Sequence, residues 1–446
     1  MVKLHLSMNK KYYLLWMLVV LLPFLAGCSD DEQPEVAEPY LRVVETTSCE
    51  NISSAAATLT LKVESNVEWK VVSEKSWCAV PSENMWTGNA AVEVQVGENL
   101  TGESRSAVLE IVSTDGVLKE EIHVSQLAEV FSENHHYKLP VVFQVLYVNK
   151  SDKNQYVEEG HLQKLLDKVN ELYRNCGEGL GLEFVMATED PEGNTLEEPG
   201  VNRVMWTTST IDCQAFMNSY KEKRYLDLIW DPDRYINIML YNFSDAGILG
   251  ISEFPYTVAP DYLEGCEQWT GGVPTQDQLV SPRCVSINNR YIYEDNCPLT
   301  PETPDGNANY VAVTIAHELG HYLGLRHVFS ENETGTECID SDLCEDTPTY
   351  NKTAYNNLVN SIGAAGLLEH LDVLIMREDC VRGTEYKSTN IMDYAVSYSN
   401  TFTANQRERV RYILEKGAFV PGPKNREISN STRTAGSGEL PHHVME

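Results

Sequence analysis

From about residue 40 to residue 128 apolar and polar positions alternate with period two in short runs: "ATLTLKVES", "VEWKVV", "AVEVQVGEN", "SAVLEIVST" and "EEIHVSQL". Each run fits a strand with one buried face, and the turn residues between them predict a small all-β sandwich. After the polar stretch "VFSENHH" the pattern changes. "LPVVFQVLYV" is almost continuously apolar, and from about residue 157 to 176 Leu162, Leu165, Leu166, Val169, Leu172 and Tyr173 recur on one stripe of a helix. "LEFVMA", "YINIMLY" and "CVSINN" read as further strands, so this second part is expected to be an α/β domain with a mixed sheet. The expected division is a sandwich over 40–128, a linker over 129–137, an α/β domain over 138–421 and a polar, unstructured tail over 422–446.

Within the α/β part, "NYVAVTIAHELGHYLGLRH" holds the densest chemistry of the chain. Val311, Ile315 and Leu319 lie at helical spacing, which predicts a core-packed helix. His317 and His321 are then i and i+4, and their imidazoles leave the same face one turn apart, as two ligands of one tetrahedral metal require. On an unbroken helix His327 would lie about 15 Å from His317 along the axis and could not share that metal. Gly324 removes the difficulty, because a residue without Cβ can take a left-handed conformation, end the helix and swing the chain back. Glu318 falls beside the metal, where a carboxylate can take a proton from water on the ion.

The chain start changes the picture of where this chemistry operates. Lys3, Lys10 and Lys11 precede the apolar run "LLWMLVVLLPFL", which reads as an export signal over 1–27 and is short for a membrane span. It ends in "LAGC", which resembles the bacterial lipoprotein box and implies a lipid on Cys28. "SDDE" follows, within an acidic tether over 28–39, and resembles the signal of Bacteroidetes-type lipoproteins displayed at the cell surface; an outer-membrane lipoprotein facing outward is the expectation. The formal charge is −32, and three of the lysines sit in that leader, so the exported part is more acidic still. This disfavours nucleic acid and anionic membrane faces as partners, leaving the lipid as the membrane contact. Besides Cys28 there are ten cysteines among the 11 of the chain, which in an oxidising compartment favours disulfides over thiol catalysis.

"HELGHYLGLRH", with "NIMDY" downstream at 390–394, resembles the long zinc signature and methionine turn of the metzincin metallopeptidases. "LPVVFQVLY", "YINIMLYNF", "GILGISEFP", "CIDSDLCEDTP" and "NIMDY…FTANQRERV" resemble, in order, segments of the pappalysin branch over about 139–416. The resemblance implies that His317, His321 and His327 bind zinc, that Glu318 is general base and acid, that Met392 floors the site, and that Tyr394 offers its phenol to the reaction. It also implies a calcium site near "DTP", drawn from Asp340, Asp342, Glu345, Asp346 and Thr347, and a bridge from Cys338 to Cys380. Ser341-Asp342 stands where the family usually has Gly-Asp, and Cys344 replaces an aliphatic residue, which leaves Cys266, Cys284 or Cys297 as partners for Cys344. "EWKVV", "SWCAV", "GEN" and "VSQLAE" make the sandwich resemble a BACON domain, which implies an immunoglobulin-like sandwich and either a glycan or mucin partner or a spacer, since Trp69, Trp77 and Trp86 equally suit a core.

The expected activity is zinc-dependent hydrolysis of peptide bonds in extracellular proteins or peptides, with "GILGISEF" as the edge strand that receives an extended substrate. Two rivals stand beside it: a non-proteolytic surface protein that binds glycan, and a zinc hydrolase of a non-peptide substrate. A structural zinc site is normally closed by four protein ligands, whereas this motif supplies three and a base.

Overall fold

A computed structural model describes residues 38–132, 134–174, 179–294, 310–331, 338–363, 369–394, 396–426 and 439–446. The export signal, most of the acidic tether with Cys28, and Cys297 lie outside them.

The alternating runs form eight strands: β1 (Leu41–Thr46), β2 (Ala57–Ser65), β3 (Glu68–Ser73), β4 (Cys78–Ala79), β5 (Trp86–Thr87), β6 (Ala90–Val96), β7 (Arg105–Ser113) and β8 (Lys119–Gln126). They make two antiparallel four-stranded sheets, in orders β1-β2-β6-β4 and β5-β3-β7-β8. Period-two patterning explains the packing, because Leu59, Leu61 and Val63 of β2 turn inward with Val92, Val94 and Val96 of β6. They join Val71, Leu109 and Ile111 of the other sheet in one core. Trp69 is fully buried in it, with the Trp86 ring stacked at 4.9 Å, and Trp77 is buried beneath the Arg105 guanidinium at 4.3 Å. Trp69 and Trp77 are committed to the interior of the sandwich, while Trp86 is half-buried at its edge.

The second part is built on a seven-stranded mixed sheet. Its centre is the long strand β9 (Tyr137–Tyr147), which pairs in parallel with β10 (Leu182–Met186) and then β11 (Val201–Met205) along one edge, and with β12 (Ile236–Tyr241) on the other. The strand Val285–Asn288 continues in parallel beyond β12, and β13 (Gly250–Glu253) adds to it antiparallel. Parallel strands are covered on both faces, which accounts for the unbroken apolar runs: every residue from Leu139 to Leu146 is buried, as is all of β12.

Helix α1 (His161–Arg174) covers one face with Leu162, Leu165, Leu166, Val169 and Tyr173 buried. It begins at His161, four residues later than the expected start near residue 157, and Val157, though buried, precedes it. Against α1 lies the helix Val311–Tyr322, called the site helix below, tied to it by the Tyr173 hydroxyl donating to Ala316 O at 3.0 Å. A C-terminal helix, Ala404–Lys416, starts with a reciprocal cap between Thr403 and Gln406 and buries Val410, Ile413 and Leu414.

Three expectations need correction. The tail 422–446 is not unstructured throughout: 422–426 are placed, Leu440 is buried, and Val444–Met445 form a strand antiparallel to β13. Two apolar residues suffice for a short strand, and the polarity of the surrounding stretch hid them. For the same reason β13 is not the sheet edge, because this tail strand covers its outer side. Finally, Cys344 pairs with neither Cys266 nor Cys284. All three are buried free thiols, and burial raises the pKa of each, Cys344 to about 12. Cys338 and Cys380 are joined by a disulfide.

Candidate active site

The site helix ends as the glycine requires. Gly324 has φ +91°, its N–H donates to His321 O at 2.9 Å, and Leu325 N–H donates to Gly320 O at 2.9 Å. This is the paired closure of a Schellman end. A Cβ at Gly324 would also meet Ile413 Cγ1 at 2.8 Å, so both conformation and packing call for glycine. The reversal carries His327 back over the helix. His321 Nε2 lies 3.0 Å from His317 Nε2 and 3.1 Å from His327 Nε2.

Each imidazole is oriented through its other nitrogen. Nδ1 of His317 donates to Ile391 O at 2.8 Å, Nδ1 of His321 to Leu325 O at 2.8 Å, and Nδ1 of His327 to the Glu331 carboxylate at 2.6 Å. With the proton on Nδ1 in all three rings, three Nε2 lone pairs converge on one point. Burial lowers the pKa of His317 to about 4 and holds those of His321 and His327 well below the usual imidazole value, with neighbouring imidazoles adding to the fall at the latter two. Neutral, buried acceptors facing one another repel unless a cation lies between them. The spacing is close to the ~3.3 Å expected between nitrogens about 2.05 Å from a tetrahedral zinc. The donor set therefore fits zinc. Among the described residues, these three histidines are the only group of three or more ligand-type side chains gathered within 4.8 Å of one another.

Glu318 is 3% exposed, and its Oε2 has no hydrogen-bond partner. Burial raises its pKa well above the usual carboxylate value, and the Glu446 carboxylate adds to the rise. Opposite it stands β13. A Cβ on Gly250 would lie 2.6 Å from Glu318 Cγ and 2.7 Å from its Oε1, so the bare backbone of Gly250 makes the cradle for this side chain.

The turn at 390–394 closes the site from below. Met392 is fully buried, and its N–H is held by Asn390 Oδ1 at 2.9 Å. The Tyr394 ring lies 4.5 Å from that of His327, and the Lys352 ammonium sits 4.2 Å from the Tyr394 ring centre. Burial, then the charge of Glu318, raise the Tyr394 pKa, so its phenol keeps its proton.

Three functional contacts escaped the sequence. Glu331 orients His327. Asp393 anchors the turn, accepting from the Tyr350 hydroxyl at 2.5 Å and from Tyr394 N–H at 2.7 Å, and pairing with the buried Arg377 at 3.3 Å. Gly250 makes room for Glu318. Only Glu331 had a local signal, its position four residues after the third histidine.

The acidic loop is gathered in part. Asp342 is buried and accepts from Thr347 Oγ1 at 2.6 Å and Cys344 N–H at 2.9 Å. Burial brings its pKa to about 7 despite these bonds. Asp346 instead accepts from Asn405 N–H at 3.0 Å, at the start of the C-terminal helix, and Glu345 offers its backbone carbonyl to Arg382 at 2.6 Å. The five expected residues do not converge on one point.

Comparison with known proteins agrees with this geometry. Residues 277–415 match the peptidase family M43 model, described as pregnancy-associated plasma protein-A, and residues 42–127 match a model described as viral BACON domain. An extracellular metalloprotease of Arthroderma benhamiae is 24% identical over 272 residues, 59% of this chain and 74% of that protein. A second, from Arthroderma otae, is 33% identical over 120 residues, 26% of this chain and 37% of that protein. Among solved structures, mature mirolysin of Tannerella forsythia in complex with a cleaved peptide is 23% identical, with a TM-score of 0.41 over 62% of this chain and 90% of that one. The chain thus carries a pappalysin-type peptidase domain over residues 277–415 behind a BACON domain over residues 42–127, and is similar to extracellular metalloproteases.

Proposed function

We propose that the chain is a zinc-dependent endopeptidase of the pappalysin-like metzincin type, acting on extracellular proteins or peptides. The observation that carries this reading is the convergence of three Nε2 acceptors, each fixed through Nδ1, beside the unpartnered buried oxygen of Glu318. His317, His321 and His327 would hold the ion, and zinc bound there supplies Lewis acidity toward a peptide carbonyl and toward water. The Glu318 carboxylate receives a proton at Oε2 as water attacks the carbonyl carbon, and an apolar setting that favours the protonated form helps it do so. Glu318 then gives the proton to the departing amine, and the peptide bond breaks with no acyl-enzyme. Tyr394 donates its phenolic hydrogen toward the oxygen on which charge develops.

Glu318→Gln separates the roles, because the amide keeps the shape of the side chain and loses the base. This variant is expected to retain one zinc per chain while peptide hydrolysis falls by ~100-fold or more. His321→Ala is expected to lose both. Zinc loss in Glu318→Gln, or unchanged hydrolysis, contradicts the assignment.

The export reading accompanies this one: cleavage before Cys28, a lipid on its thiol and outward display on the outer membrane. Among the described residues no helix is long and apolar enough to cross a membrane. A Cys28→Ser form that still partitions into detergent contradicts the lipid. The burial of Trp69 and Trp77 in the BACON domain supports a spacer rather than a glycan platform.

A further inference from the structure

The outer side of β13 is taken by the chain itself. Met445 pairs with Ser252 and Val444 with Glu253 in antiparallel register, and Phe254 N–H donates to His443 O at 2.6 Å. The side chains fix the segment as well. Met445 is 7% exposed and joins the main core, Leu440 is buried beside Phe419, and His442 Nδ1 lies 2.8 Å from the buried carboxylate of Glu253. Glu446 follows, hydrogen-bonded by Gln214. The strand thus runs along the outer side of β13. β13 begins at Gly250, the residue that cradles Glu318, so a peptide on its outer side lies against the reaction centre.

We propose that the segment 440–446 is an intramolecular peptide ligand of the substrate strand: it occupies β13 in extended, antiparallel form, and a protein substrate must displace it to pair there. Main-chain hydrogen bonds of β13 are offered to whichever strand is present, so the segment and a substrate compete for the same donors and acceptors. A ligand tethered to the chain has a high effective concentration, and the apparent substrate affinity falls by the fraction of molecules in which the strand is free. The segment also describes the peptide chemistry the strand accepts: an extended chain with an apolar residue buried at the position of Met445. This inference rests on the peptidase reading for its meaning, but the docking can be tested without hydrolysis.

The experiment compares the full chain with a variant lacking 440–446, and with Met445→Asp, which places a charge in the buried position while keeping the chain length. Three quantities are read: kcat and KM on an internally quenched peptide, zinc content, and binding of a synthetic peptide LPHHVME by fluorescence anisotropy. Both variants are expected to retain zinc, to show KM lowered by about tenfold with kcat little changed, and to bind the free peptide, which then inhibits competitively. The full chain is expected not to bind it. If the zinc-loaded variants hydrolyse the quenched peptide with the KM of the full chain and do not bind LPHHVME, the inference is overturned while the peptidase stands. If they bind LPHHVME and the full chain does not, yet none of the proteins hydrolyses any peptide, the peptidase reading falls and the docking stands.

Discussion

Replacing Gly250 by alanine tests the cradle at the reaction centre with one added methyl group. That carbon would sit 2.6 Å from Glu318 Cγ, 2.8 Å from Cδ and 2.7 Å from Oε1. Carbon atoms in contact settle at about 3.5–4.0 Å, so Glu318 must retreat by roughly 1 Å or β13 must shift away by as much. The side chain has little room to yield, since it is 3% exposed. The backbone itself raises no objection, because Gly250 is absent from the residues with positive φ. A misplacement of ~1 Å at a catalytic group can cost on the order of 100-fold in rate, while overpacking of this kind destabilises a fold by about 1–3 kcal/mol. Gly250→Ala is therefore expected to fold, to bind one zinc through the three histidines, and to lose about 100-fold in kcat/KM. The assay is hydrolysis of a quenched peptide by protein whose zinc content and thermal midpoint have been measured. Full activity would refute the cradle, and loss of zinc would show that the added methyl acts on the ligands rather than on Glu318.

Removing the Glu331 carboxylate with Glu331→Ala frees Nδ1 of His327 and is expected to weaken zinc binding by about 10–100-fold in chelator competition, with Glu331→Gln much milder because its amide oxygen still accepts; equal affinities would show that Glu331 does not orient the ligand. The docked segment carries a pH signature. Burial disfavours the His442 cation, but the hydrogen bond and charge of Glu253 outweigh it, with Glu267 adding and Arg283 opposing, so the pKa is raised; His443 is the other titratable ring beside it. A raised pKa means that the docking contribution is complete below the free-histidine value of ~6.5 and is lost as pH rises through the docked value. The KM advantage of the variant lacking 440–446 is thus expected to shrink as pH rises from about 6 to 8, and an advantage that grows over that range contradicts the ion pair's role.

The amino-acid sequence by itself determined what depends on local geometry. The spacing of His317 and His321 follows from 3.6 residues per turn, and the need for a break before His327 follows from helix rise; Gly324, at φ +91°, is that break. Alternation in β2, β6 and β7 and the unbroken apolar run of β9 reported one-sided and two-sided burial, because side-chain direction in a strand depends on parity alone. Tertiary structure decided everything that required two distant segments to meet. Gly250 is separated from Glu318 by many residues and by a strand crossover, and no periodicity near either one announces the contact. Asp393 looks like any acidic residue until Arg377 and Tyr350 surround it. Cys344 remains a free thiol although Leu343 packs against Gly265, the neighbour of Cys266, because parity of a cysteine count carries no bonding geometry. The tail was the hardest to read. Its composition is that of an unstructured chain, yet a strand of two residues needs only a neighbour with free backbone groups, and β13 supplies one. Whether such a neighbour exists is a property of the assembled sheet.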